Sequence, residues 1–160
     1  MWAFQAKSFE DMAYTPLVIA FTPNYFIPSA VTISSLLRAS KDDSKFEIIC
    51  LLSEDLPQWQ IDELASLAGD RAMFTFVKLK GKLGDVYVDE RYTEAASYRL
   101  MLPELLPRYD KVLYIDCDVV VRQDLAALYN SVDLGDKYLA GVFEPTLDHQ
   151  VAHMKEIGCI

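Results

Sequence analysis

The sequence predicts an α/β fold, a mostly parallel sheet flanked by helices. Two patterns carry that expectation. Continuous apolar runs of strand length, led by Leu17-Val18-Ile19-Ala20-Phe21 and by Phe46 to Leu52, suit strands buried on both faces, as parallel strands are. Between such runs lie segments with apolar residues three and four apart, and strands alternating with helices mean βαβ units. A length of 160 residues fits one domain, and a composition 52% hydrophobic and 24% charged excludes a disordered chain.

Residues 1–15 show no periodicity and end on Thr15-Pro16, where proline biases the chain toward extension. They read as an N-terminal arm with a helical turn around Ser8 to Met12, ahead of a domain over 16–160. The first strand is Leu17 to Phe21. Asn24 to Ala39 is helical, with Ile27, Ala30, Val31, Ser34, Leu37 and Arg38 on one side and Pro28 tolerated in the first turn. Ser40 to Ser44 breaks it, and Phe46 to Leu52 is the second strand. Asp55 is a candidate N-cap, with Pro57 just inside, for a helix to Ala68 that Gly69-Asp70 ends.

Ala72 to Leu79 is the third strand, and residues 80–92, with two glycines and alternating charge, form a loop. Thr93 can cap a helix to Met101, before Pro103 and Pro107 break the pattern. Lys111 to Ile115 is the fourth strand, Gln123 to Tyr129 a short helix, Tyr138 to Phe143 a further strand and Leu147 to Ile157 a last helix. A doubly wound sheet normally carries more strands on its second side, so the sequence reads as the front part of something longer.

Charge narrows the partners. Lys and Arg number 15 against 24 Asp and Glu, a formal charge of −9, which repels a polyanion unless a cation stands between; nucleic acid is not an expected partner. No apolar run approaches the ~20 residues that span a bilayer. Met1-Trp2-Ala3-Phe4 offers neither a basic n-region nor an extended apolar h-region, so no secretory signal is expected. Cys50, Cys117 and Cys159 are odd in number and far apart, which suits reduced thiols in the cytoplasm.

The chemistry concentrates at Asp116-Cys117-Asp118, set between Val112-Leu113-Tyr114-Ile115 and Val119-Val120-Val121. Carboxylates at i and i+2, at the mouth of a buried parallel strand, point to the same side. That mouth is where open α/β sheets bind ligands. Two anions together in apolar surroundings are costly unless a positive charge joins them. Mg²⁺ or Mn²⁺ supplies it, leaving open positions for phosphate oxygens, so an acidic protein can still hold a nucleotide diphosphate. A bare Asp-x-Asp is most often a solvated turn; apolar runs hard on both sides make this one specific.

Several ordered segments then resemble the family 8 glycosyltransferases: Phe21-Thr22-Pro23-Asn24-Tyr25 after strand one, Tyr98-Arg99-Leu100, Lys111 through Val121 with its two aspartates, Asp124-Leu125 and Leu134-Gly135-Asp136. The resemblance covers about Pro16 to the end. It implies a GT-A-type Rossmann-like fold and metal-dependent transfer of a hexose from a UDP-sugar, with retention, to a saccharide or lipopolysaccharide-type glycolipid acceptor. It assigns Asp116 and Asp118 as ligands of Mn²⁺ (or Mg²⁺), and places the backbone of Cys117 near the ribose. Thr22, Asn24 and Tyr25 match the loop that holds uracil and ribose, although Pro23 stands where members often have an acidic residue. Arg99 matches an arginine that reaches the donor sugar and diphosphate, and Glu144 an acidic position that hydrogen-bonds donor-sugar hydroxyls; these two are the catalytic candidates.

Family members carry a further metal-binding histidine and an acceptor-side amide or carboxylate after an Asn-Ala-Gly strand. Neither lies within this chain, so a catalytically incomplete UDP- or UDP-sugar-binding module is the alternative. The expected location is the cytoplasm, with peripheral contact at the inner face of a membrane left open. His149 and His153, one helical turn apart with Gln150 where a zinc protease needs glutamate, fit an exposed helix face. Cys117 between two carboxylates should have a raised thiol pKa and be no nucleophile, and Cys50 reads as core.

Overall fold

The computed structural model describes residues 14–83 and 94–142. Its four strands are β1 (Thr15–Phe21), β2 (Phe46–Leu52), β3 (Ala72–Lys78) and β4 (Leu113–Ile115). They lie in the order β3-β2-β1-β4, every pair parallel. Ile19 sits opposite Cys50 on one side and Ile115 on the other. The α/β expectation holds.

Every residue of β1 and β2 is buried, as continuous apolar runs in central strands should be. Alternate side chains serve opposite faces. Leu17, Ile19 and Phe21 join Phe46, Ile48 and Cys50 beneath α1 (Phe26–Ala39), α2 (Gln58–Ala68) and α5 (Leu125–Ser131). Val18 and Ala20 join Ile49, Leu51, Ala95 and Tyr98 under α3 (Glu94–Ser97) and α4 (Leu102–Leu105). The result is helices on both faces of a sheet. Glu47 is the one charge in the β2 run; Arg108 Nη2 donates to it at 2.5 Å and the Tyr109 hydroxyl also donates to it.

Several boundaries move. β1 starts at Thr15, whose amide donates to Lys45 O at 2.9 Å, inside the expected arm. A 3₁₀ turn over Pro23–Tyr25 precedes α1. Asp55 does not cap α2, because it pairs with Lys78 and Pro57 holds the cap position; Gly69, at φ 57°, ends the helix in a conformation glycine adopts without strain. The helix expected to stop before Pro103 bends through a 3₁₀ turn, Tyr98–Met101, and Pro103 lies in the first turn of α4, where its missing N–H costs nothing. Asp124 caps α5, its carboxylate accepting from the Ala126 amide at 3.0 Å.

Other readings are corrected or fall outside. The buried face of α1 is Phe26, Ser29, Thr32, Ile33, Leu36 and Leu37, while Ile27 (66% exposed) and Val31 face solvent. Residues 138–142 form no strand; Tyr138, Leu139 and Val142 are exposed, since an apolar alternation pairs only where a neighbouring strand is present. The apolar run Val119–Val121, after the two aspartates, is not a strand. The turn at Ser8–Met12, the Thr93 cap and the Leu147–Ile157 helix lie outside the described residues.

Candidate functional site

β1 is the point at which the chain's winding changes side: β2 and β3 follow on one flank, and β4 lies on the other. Ligands of open α/β sheets bind outside the carboxyl ends of the strands at such a switch point. The carboxyl end of β1 runs into Thr22-Pro23-Asn24-Tyr25, and that of β4 into Asp116-Cys117-Asp118. Topology therefore brings together the two segments that the sequence separates by almost a hundred positions.

Asp116 and Asp118 are exposed at the strand mouth, where water solvates both charges. Arg99 lies beside them, with Nη1 3.9 Å from Asp116 Oδ1. Its guanidinium stands 5.1 Å above the centre of the Tyr114 ring, and Nε donates to Ala96 O at 2.7 Å. The stem is thus fixed while the charged fork faces the acidic end of β4. Burial pushes the Tyr114 phenol up, Arg99 opposes that, and the Asp116 charge adds to it. Burial and then the charge of Asp118 push the Cys117 thiol up, with Ser29 opposing, so the expectation of an unreactive thiol agrees with its surroundings. Glu144, His149 and His153 lie outside the described residues.

The buried hydroxyls of α1, which an apolar-face reading of this helix overlooks, hold the acidic loop. Thr32 Oγ1 lies 2.9 Å from Cys117 O and 2.8 Å from Val119 O, the carbonyls on either side of Asp118. Ser35 Oγ accepts from the Val121 amide at 2.8 Å, and Ser29 Oγ donates to Tyr25 O at 2.7 Å. Hydroxyls three apart on a helix were the available signal.

Among the described residues, no three His, Cys, Asp or Glu gather to hold a metal. A groove of about 530 Å³ runs along Ile115, Val119–Val121 and Leu125, but neither aspartate nor the Thr22–Tyr25 loop lines it. Arg122 and Gln123 complete its otherwise apolar lining.

The sequence pattern of a known family spans residues 16–157, that of Glycosyl transferase family 8. The chain belongs to glycosyl transferase family 8. It is 30% identical over 124 residues to a bovine (Bos taurus) protein named glycosyltransferase 8 domain-containing protein 1, a match covering 72% of this chain and 32% of that one. Among solved structures, a WbbM bifunctional glycosyltransferase superposes with a TM-score of 0.75 at 27% identity, covering 92% of this chain and 26% of that one. The galactosyltransferase LgtC, solved with donor and acceptor sugar analogues, superposes at 0.74 and 26% identity, covering 90% and 52%. This family 8 chain thus spans about a third of its curated relative and half of LgtC. The shared architecture is the GT-A type.

Proposed function

We propose that this chain carries the nucleotide-sugar site of a retaining hexosyltransferase, which binds a UDP-hexose with Mn²⁺ or Mg²⁺ and transfers the sugar to a saccharide or glycolipid acceptor. The observation that carries the reading is the convergence, at the switch point of a family 8 fold, of the Thr22–Tyr25 loop and the Asp116-Cys117-Asp118 loop. The donor set fits a hard cation. Two exposed, acceptor-only carboxylates are what Mg²⁺ and its like use when substrate phosphates complete the coordination. Bound there, the ion would serve as Lewis acid and template for the diphosphate leaving group.

The chain's own residues divide the remaining work. Thr22, Asn24 and Tyr25 hold uracil and ribose, with the backbone of Cys117 on the ribose side. Arg99 supplies a planar, multi-donor cation to the donor sugar and diphosphate, a reading that its place beside Asp116 supports. Glu144 binds donor-sugar hydroxyls. No helix among the described residues is long and apolar enough to cross a membrane. The odd, widely spaced cysteines, suited to reduced thiols, support a place in the cytoplasm or peripherally at the inner membrane face. A UDP-sugar-binding module without turnover is the second reading; among the described residues no third His, Cys, Asp or Glu joins the acidic pair.

Thermal unfolding with UDP tests the site. Binding to the native state alone stabilises by about 2.7 kcal/mol at a hundredfold excess over Kd, a rise in Tm of about 5–11 °C for a chain of this size. We expect that rise with Mn²⁺, little of it with EDTA, and loss of the metal-dependent part in Asp118→Asn. An equal shift with and without metal, or no shift, would refute the reading. UDP released from UDP-hexose above background separates the transferase from the binding module.

A further inference from the structure

We infer that Thr32, supported by Ser35, is the positioning residue of the acidic loop, fixing the backbone from which Asp116 and Asp118 meet a cation-bridged diphosphate. The inference rests on the UDP site proposed above and deepens it.

Thr32 is fully buried in a helix face that packs on the sheet. A helical threonine or serine ordinarily returns its hydroxyl to the carbonyl four residues back, as Ser29 does to Tyr25. Thr32 does otherwise. Its hydroxyl proton is shared between the carbonyls of Cys117 and Val119, 85 and 87 residues along the chain. Those carbonyls belong to the residues before and after Asp118, so the Cys117–Asp118 and Val119–Val120 peptide groups that bracket one proposed ligand are tied to a single side chain. Ser35 extends the tie: it donates to Thr32 O at 2.8 Å and accepts the Val121 amide.

The same helix also governs the other half of the site. α1 begins at Phe26, directly after the Thr22–Tyr25 loop, and Ser29 holds the Tyr25 carbonyl. Hydroxyls on successive turns thus hold the uridine loop and the acidic loop to one 14-residue rod. Packing alone does not ask for this, because valine fills the same volume as threonine; only the loop carbonyls need the oxygen. Partners that orient ligand-bearing groups commonly change metal affinity 10- to 100-fold when removed.

Two substitutions separate positioning from packing. Thr32→Val keeps the volume and removes the hydroxyl, whereas Thr32→Ser keeps the hydroxyl and removes the methyl. Calorimetric titration should show UDP binding in saturating Mn²⁺ weakened about tenfold or more in Thr32→Val and restored to near wild type in Thr32→Ser. Uridine should bind all three proteins alike. Amide hydrogen exchange should quicken at residues 117–121 in Thr32→Val while β1 and β2 keep their protection. Should Thr32→Val fail to fold, Ser35→Ala reads the same loop, with a loss of about threefold or more, the worth of a neutral hydrogen bond. Wild-type UDP affinity in Thr32→Val, or in Ser35→Ala where that variant stands in, overturns the inference while leaving the site intact, and so does equal loss in Thr32→Ser. A wild-type chain that binds no UDP in Mn²⁺ overturns the site and the inference together.

Discussion

Arg99→Lys asks whether the arginine belongs to the donor site or merely to the surface. The substitution keeps the charge and removes the planar fork. In the folded chain it forfeits the Nε bond to Ala96 O at 2.7 Å and the stacking 5.1 Å above Tyr114. The 3.9 Å pairing with Asp116 is between half-exposed side chains (47% and 58%), so solvent screens it to a few tenths of a kcal/mol. A neutral-acceptor hydrogen bond and a solvent-accessible cation–π contact each contribute about 0.5–1 kcal/mol. The variant should therefore lose about 1 kcal/mol of stability, or about 2–4 °C in Tm. Against a donor the loss is larger, because charge-assisted bonds to phosphate are worth about 1.5–3 kcal/mol. UDP-hexose affinity in Mn²⁺ should fall about tenfold or more, at 1.4 kcal/mol per decade. Uridine, whose proposed contacts lie in the Thr22–Tyr25 loop, should titrate as before. Calorimetry with both ligands against both proteins decides the matter: unchanged UDP-hexose binding removes Arg99 from the site, and an equal fall for uridine shows damage to the fold instead.

Two further outcomes bear on the scaffold. Lys111 Nζ donates to Tyr129 O at 2.7 Å and Val132 O at 2.6 Å, joining the approach to β4 to the end of α5, so Lys111→Met should cost about 2 kcal/mol with an unchanged denaturant slope; a loss under 0.5 kcal/mol speaks against that tie. Burial, with Glu94 beside Tyr98 and Glu47 beside Tyr109, pushes both phenols up to about 12. The fold favours their neutral forms, so the stability they lend is whole below about 10 and is lost as pH rises from there through 12. Phenolate absorbance should show tyrosines that ionise only as the chain unfolds, and one transition near 10 for all of them would contradict the burial.

The strands were legible where burial is two-sided. Phe46–Leu52 has the same bounds in the sequence pattern and in the fold, because a central parallel strand needs apolar side chains on both faces and polar Lys45 and Ser53 bracket the run. Edges were less legible. Only Leu113–Ile115 of the expected Lys111–Ile115 strand pairs, since β4 meets β1 along three residues. Tyr138 to Val142 has strand composition, and among the described residues no strand lies beside it. Composition reports what a segment tolerates, and pairing depends on what lies next to it.

The site was legible by a different route, and its hidden part follows from the same physics. Acidic residues at a strand mouth are visible in sequence because nothing in a buried run explains them. Arg99 was visible only through its Tyr98-Arg99-Leu100 context, yet folding sets it within 4 Å of Asp116. The α1 face misled because a 3.6-residue reading counts apolar positions as buried and hydroxyls as exposed. Here Ile27 and Val31 face out while Ser29 and Thr32 face in. Burying a hydroxyl costs about 1–3 kcal/mol unless it is bonded, and these are bonded to the two loops of the proposed site. Loop carbonyls and amides that leave a strand end need partners, and a helix packed over that end can provide them only with short polar side chains. Hydroxyls set among Phe26, Ile33, Leu36 and Leu37 on the buried face of α1 are therefore the local signature of a helix that holds two loops as well as a sheet.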